Sequence, residues 1–179
     1  MEFFEVVARR RMHRLFTAEP VSRDELERLV WAGSRAPQAG NAAVRRFIVV
    51  DDAAIVRTIR QVMPSFISNA PAAIVICTDL ERVAALMGSR GRDIVSRIDV
   101  GTAAENIVLA ATAVGLGACF SQSSTEPALR AVLELPAHIR PDMVVAVGRV
   151  PAQPSMAIRM KRAPVDYNRF GAPLESAGS

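Results

Sequence analysis

The sequence predicts a layered domain of α/β or α+β class, with helices packed on a sheet of four short strands. Three observations predict it. Segments of helical period alternate with four apolar runs of strand length. One of these runs, SNAPAAIVICTD at residues 68–79, is apolar on both faces and so belongs in the middle of the sheet. And VGTAAENIVLAATAVGLG, residues 100–117, is a helix apolar nearly all round, which requires burial on most sides. The 179 residues suffice for one core, and no internal repeat marks a second unit, so residues 1–179 are read as one domain.

Each element has its own justification. EFFEVVARRR, residues 2–11, has helical spacing and forms a first short helix. SRDELERLVWAG, residues 22–33, is a second: Ser22 and Glu25 make a capping box, Leu26, Leu29 and Val30 give the period, and Gly33 the stop. APQAGN, residues 36–41, is a loop by its proline and glycine. RRFIVVDD, residues 45–52, is a strand running into a turn. DAAIVRTIRQVM, residues 52–63, is a helix capped by Asp51 or Asp52. LERVAALMGSRGRD, residues 80–93, is ambiguous, and its GSRGR portion, 88–92, reads as a mobile loop.

In the long apolar helix, Gly101, Ala103, Ala104, Ala110 and Ala111 let another helix approach closely, and Gly115 and Gly117 end it. ACFSQ, residues 118–122, is the third strand. STEPALRAVLEL, residues 124–135, is a helix with Pro127 in its first turn, and PDMVVAVGRV, residues 141–150, is the fourth strand. Beyond Pro151 no period survives. The tail, residues 152–179, carries prolines, cations and two isolated aromatics, Tyr167 and Phe170, which argue that part of it packs.

Composition excludes several classes. Half of the chain is hydrophobic and 22% is charged, which is no disordered composition. Cys77 and Cys119 sit in apolar strand runs and read as small core residues; no CxxC or His/Cys spacing suits a metal. FFEVVA is too short for a signal core and precedes the positive charge, and no apolar run spans a bilayer, so a cytoplasmic protein without a membrane partner is expected. No GxSxG, HExxH or P-loop is present. GLG ends a helix where a dinucleotide fingerprint would join a strand to one. His13 lies among arginines and His138 in a loop, so neither reads as a general base, and no catalytic side chain is assigned.

What remains is positive charge. The net charge is +4, and the cations concentrate in Arg9, Arg10, Arg11 and Arg14 and in Arg159, Lys161 and Arg162 of the tail. Such a balance fits a nucleic-acid binder or a site for a phosphorylated small molecule. Interleaved aromatics and a long basic helix are missing, which argues against nucleic acid. Arginines in a corner between two helices suit one phosphate.

The ordered set RRMHRLF, capping-box helix, APQAGN, RRFIVV, DVGTAAENIVLAATAVGLGACF, VVAVGRVP and KRAPVDYNRFG resembles the FMN-dependent nitroreductase family in its short form, over nearly the whole chain. The resemblance implies an α+β three-layer sandwich, a mixed central β-sheet flanked by helices, in an intertwined homodimer whose tail, 152–179, wraps the partner. It implies an FMN held by Arg10, Arg11, Met12 and Arg14 at its phosphate and ring edge, and by Pro37, Gln38, Ala39 and Asn41 against the ring. Phe120, Ser121 and Gln122 would cover the opposite ring face, with Lys161 and Arg162 arriving from the tail. It implies ping-pong hydride transfer from NAD(P)H through the flavin to a small planar acceptor, nitroaromatic or quinone-like, with the chemistry on the cofactor.

Three departures stand out. Met12 replaces a hydroxyl of the family pattern, Gln38 replaces a serine, and Ala43, Val44 and Arg45 replace Gln-Pro-Trp. Two rival readings accompany this one. VDYNRFG and LPAHIRPDMVVAVGR are also similar to the catalytic subunit of cyclodipeptide oxidases, which would use oxygen and need a small partner subunit. From another class, the chain would be a basic nucleic-acid or regulatory binding protein without redox activity.

Overall fold

The computed structural model describes residues 1–66, 68–122, 125–152 and 163–171. Its elements are α1 (Phe3–Arg9), α2 (Arg23–Ser34), β1 (Arg45–Val50), α3 (Ala53–Val62), β2 (Ala72–Asp79), α4 (Leu80–Arg90), α5 (Ser96–Ala113), β3 (Gly117–Gln122), α6 (Glu126–Val132) and β4 (Ile139–Gly148). The sheet order is β1-β2-β4-β3. β2 is buried along its whole length, as its two-faced apolar sequence predicts, and is hydrogen-bonded to β1 on one side and β4 on the other.

Side chains alternate across the sheet and build two cores. Ile74 and Ile76 of β2, with Val145 and Val147 of β4, face α2 and α5. Ala73, Val75, Cys77, Val144, Ala146 and Cys119 face the opposite side, where Val56 and Ile59 of α3, Met63, Phe66 and Leu129 of α6 cover them. Helices, sheet and helices form the three layers. Burial pushes the Cys77 thiol up to about 12, so it behaves as a core residue.

The ladders β1–β2, β2–β4 and β3–β4 are all antiparallel. The mixed character expected of the sheet is confined, among the described residues, to one parallel bridge between Met12 and Ala118. Local signals held well at helix starts. Ser22 Oγ accepts from Glu25 N while Glu25 Oε2 accepts from Ser22 N, completing the capping box, and Asp52 caps α3 through Ala54 N and Ile55 N.

Three expectations are corrected. Residues 88–92 are no loop: Gly88 breaks the helix locally at φ 61°, after which the chain re-enters helix through a π turn, Gly91–Val95, that runs straight into α5. Arg140 Nη1 from β4 and Ser96 Oγ both donate to Arg92 O in that turn, at 3.1 and 2.7 Å, support that no local sequence pattern can show. Gly33 lies inside α2, and its role is close packing, since a Cβ there would fall 2.9 Å from Ile107 Cγ1 of α5. Finally, within this chain α5 is buried along one side only, leaving Ile98 and Gly101 exposed.

Candidate functional site

The basic segment after α1 lies along the start of β3. Met12 forms the parallel bridge to Ala118, and His13 N donates to Ala118 O at 3.0 Å. Gly117 permits this approach, because a Cβ there would fall 3.0 Å from His13 Cβ and 2.4 Å from Val150 Cγ2. Downstream, Asn69 clasps the backbone of Phe16: Phe16 N donates to Asn69 Oδ1 at 2.7 Å and Asn69 Nδ2 donates to Phe16 O at 3.0 Å. The Phe16 ring is buried. Residues 12–16 are therefore placed by backbone bonds as well as by the Met12 and Phe16 side chains packed in the core, which leaves the Arg14 side chain free for other work.

The basic side chains of the segment divide. Arg10 Nε meets Glu105 Oε1 of α5 at 3.2 Å, a partly exposed pair. Arg11 and Arg14 have no carboxylate partner among the described residues. Burial pushes the half-buried His13 below its ordinary value of 6.5, and the Arg11 charge pushes it the same way. Arg14 opposes the upward push that burial gives the Cys119 thiol, which places its charge near β3.

The loop between α2 and β1 is held from two directions. Arg45, buried at the start of β1, donates Nε to Gln38 Oε1 at 2.9 Å, Nη2 to Ala36 O at 2.7 Å and Nη1 to Asp99 O at 2.9 Å. Ala39 N donates to the buried Asp99 Oδ2 at 3.1 Å. Residues 39–41 form a tight 3-10 turn in which Gly40 and Asn41 have positive φ, 62° and 49°. Pro37, Gln38 and Asn41 line a cleft of about 320 Å³ together with Ser34, Arg35, Ala36, Ala43 and Arg45.

The third segment ends β3. Phe120 is half-buried against the α2/α5 core, Ser121 is half-buried, and Gln122 is exposed, its carbonyl accepting from Ser65 Oγ at 2.9 Å. Thus one strand carries the partner of Met12 at one end and Phe120, Ser121 and Gln122 at the other. Neither residues 10–14 nor 120–122 line the cleft of the 36–41 loop, so that cleft does not gather all the expected site residues of this chain. Lys161 and Arg162 lie outside the described residues. Sequence reasoning missed Glu105, Asn69 and Asp99, whose signals were single polar residues in helix or loop text. It recorded Arg45 only as a departure.

The three-layer α+β fold lays an arginine-rich segment on the edge strand β3 and carries a separate cleft at the 36–41 loop. The sequence model of the nitroreductase family matches residues 7–65 and 60–149, and the chain belongs to that family. It is 29% identical over 153 residues, 82% of this chain and 84% of the relative, to an Archaeoglobus fulgidus protein provisionally named NADH dehydrogenase/NAD(P)H nitroreductase. It is 27% identical to an NADPH-dependent oxidoreductase of Staphylococcus aureus, covering 97% of this chain and 76% of that one. An FMN-dependent nitroreductase of Clostridium difficile R20291 has the same fold, with TM-score 0.78, 24% identity and coverage of 93% and 99%. Among the described residues no helix is long and apolar enough to cross a membrane.

Proposed function

We propose that this protein is an FMN-dependent NAD(P)H oxidoreductase of nitroreductase type that works as a homodimer on a small planar acceptor. Family membership supports the reaction class. The observation that carries the cofactor assignment is the pair Arg11 and Arg14, which lack carboxylate partners among the described residues and flank a segment fixed by its backbone on β3. Both guanidinium groups reach solvent, Arg14 the more so, and such unpaired, water-accessible donors suit a phosphate. The donor set fits FMN: Arg11 and Arg14 for the phosphate with Arg10 beside them, Gln38 and Asn41 amides for ring oxygens and nitrogens.

Bound FMN supplies the hydride and electron chemistry. The chain's own residues bind and orient. Arg11 and Arg14 hold the anionic end, and Glu105 restrains Arg10 at the mouth of that site. The Pro37–Asn41 turn and the Phe120, Ser121 and Gln122 segment would hold and orient the ring. Lys161 and Arg162 join from the tail. In the homodimer the arginine segment and the 36–41 turn that hold one FMN would come from different protomers, leaving room for NAD(P)H and acceptor to bind in turn.

Absorbance of the purified protein with and without added FMN tests the reading. A bound flavin spectrum is expected, and Arg11→Ala with Arg14→Ala should weaken FMN binding by about 100-fold, as loss of two charge-assisted bonds implies. A chain that takes up no FMN removes the proposal. Mixing the flavoprotein with NADPH without air should bleach the flavin rapidly. Indifference to both NADPH and NADH, with turnover sustained by oxygen, would instead mark an oxidase.

A further inference from the structure

The buried Arg45 is costly to place and is not explained by an ion pair. Its guanidinium makes no direct carboxylate bond: the three acceptors are the Gln38 side-chain amide and the carbonyls of Ala36 and Asp99. Burial pushes its pKa down, and the nearby Asp99 carboxylate pulls it back up. That carboxylate is itself committed, accepting from Ala39 N. Two of the three acceptors of Arg45 belong to the loop and the third to α5, so one side chain from β1 joins three separate parts of the chain.

The chemistry of this arrangement fixes more than position. An arginine has no acceptor, so the Gln38 amide is obliged to turn its oxygen toward Arg45. Its Nε2, which has no hydrogen-bond partner among the described residues, is left with both protons for whatever enters the cleft that Gln38 lines. We propose that Arg45 is a positioning residue: it clamps residues 36–39 and turns the Gln38 amide so that this side chain meets a ligand only as a donor. The cleft therefore selects groups rich in acceptor oxygen, such as a flavin carbonyl, a nitro group or a carboxylate, over groups that present N–H. This rests on the flavin reading above for its ligand, though the clamp itself does not.

Three variants and two measurements test it. Amide hydrogen exchange on the protein without flavin reads the clamp directly. In Arg45→Met, the Ala39 and Asn41 amides should exchange at least about tenfold faster while β2 and β4 keep their protection, because the loop loses its interior bonds. Arg45→Lys, which cannot reach three acceptors in fork geometry, should show the same loosening with less disturbance of the fold. Gln38→Glu should keep the loop protected, since a carboxylate still accepts from Arg45, yet weaken FMN binding by about tenfold because the cleft now meets oxygen with oxygen.

Unchanged exchange in both Arg45 variants overturns the clamp. Gln38→Glu with intact protection and unweakened FMN binding overturns the donor orientation. Should the wild-type protein bind no FMN, the functional reading falls, while the exchange measurement still decides the clamp. Should Arg45→Met not fold, Arg45→Lys and Gln38→Glu carry both decisions.

Discussion

His13 shows what one side chain inherits from its neighbours. Its backbone is tied to β3, its ring is packed beside Gly117, and the Arg11 charge stands close by. Both burial and that charge disfavour the imidazolium, so the folded pKa lies below the ordinary 6.5. The unfolded chain then binds the proton more readily than the folded one. Stability is full above pH 6.5 and declines as pH falls through the folded value. The slope of melting temperature against pH between 7 and about 5 should therefore be shallower in His13→Gln than in the wild type. An identical slope in the two proteins would mean the ring is solvated. At this scale sequence went part of the way: the arginines around His13 are adjacent in the chain and foretell its depressed basicity. Nothing local foretells Arg45, whose partners lie 7, 9 and 54 residues away.

At the scale of elements, legibility follows how local the cause is. The capping box of α2 and the Asp52 cap of α3 are written within four residues, and the structure has both. The central position of β2 follows from its two apolar faces. The α4 to α5 passage did not yield to reading because its determinants are distant: Arg140 braces the π turn from β4, and Asp142 holds Arg140 Nε at 2.6 Å while accepting from Thr78 Oγ1 of β2 at 2.6 Å. Gly33 was misread for the same reason, since a stop signal and a contact signal look alike in text. The contact makes a prediction. Alanine at a helix interior ordinarily gains about 1 kcal/mol over glycine. Here Ile107 and Phe47 stand within 3.2 Å of the new Cβ, so Gly33→Ala should gain nothing, and Gly33→Val should cost about 1–3 kcal/mol through overpacking. Urea denaturation measures both, and Ile107→Val should cost less in the Gly33→Ala background than in the wild type, since the two positions share one contact. A clear stabilisation by Gly33→Ala alone would show that α2 and α5 have room to part.

The molecule as a whole carries apolar surface that its own chain does not cover. Phe3 and Phe4 of α1 are 64% and 83% exposed, Ile98 of α5 is 61% exposed, and Phe170 is fully exposed. α1 packs on α5, so these exposed residues of the two helices belong to packed neighbours. Scattered single exposures need no cause, but several large apolar side chains exposed on two packed helices suit a partner surface. The homodimer proposed above would cover this surface and would also bring the Arg11–Arg14 segment of one chain to the 36–41 cleft of the other, a cleft that residues 10–14 do not line in their own chain. Sedimentation velocity should give a dimer. Phe4→Asp with Ile98→Asp changes only exposed positions, which in a lone protomer shift stability by no more than about 0.5 kcal/mol each. If the two protomers complete one site, that double variant should sediment as a monomer, keep its secondary structure by circular dichroism, and lose FMN even though every residue proposed to touch FMN is intact. A monomer that still binds FMN with wild-type affinity would place the whole cofactor site on one chain, and a wild-type protein that sediments as a monomer would remove the need for a partner altogether.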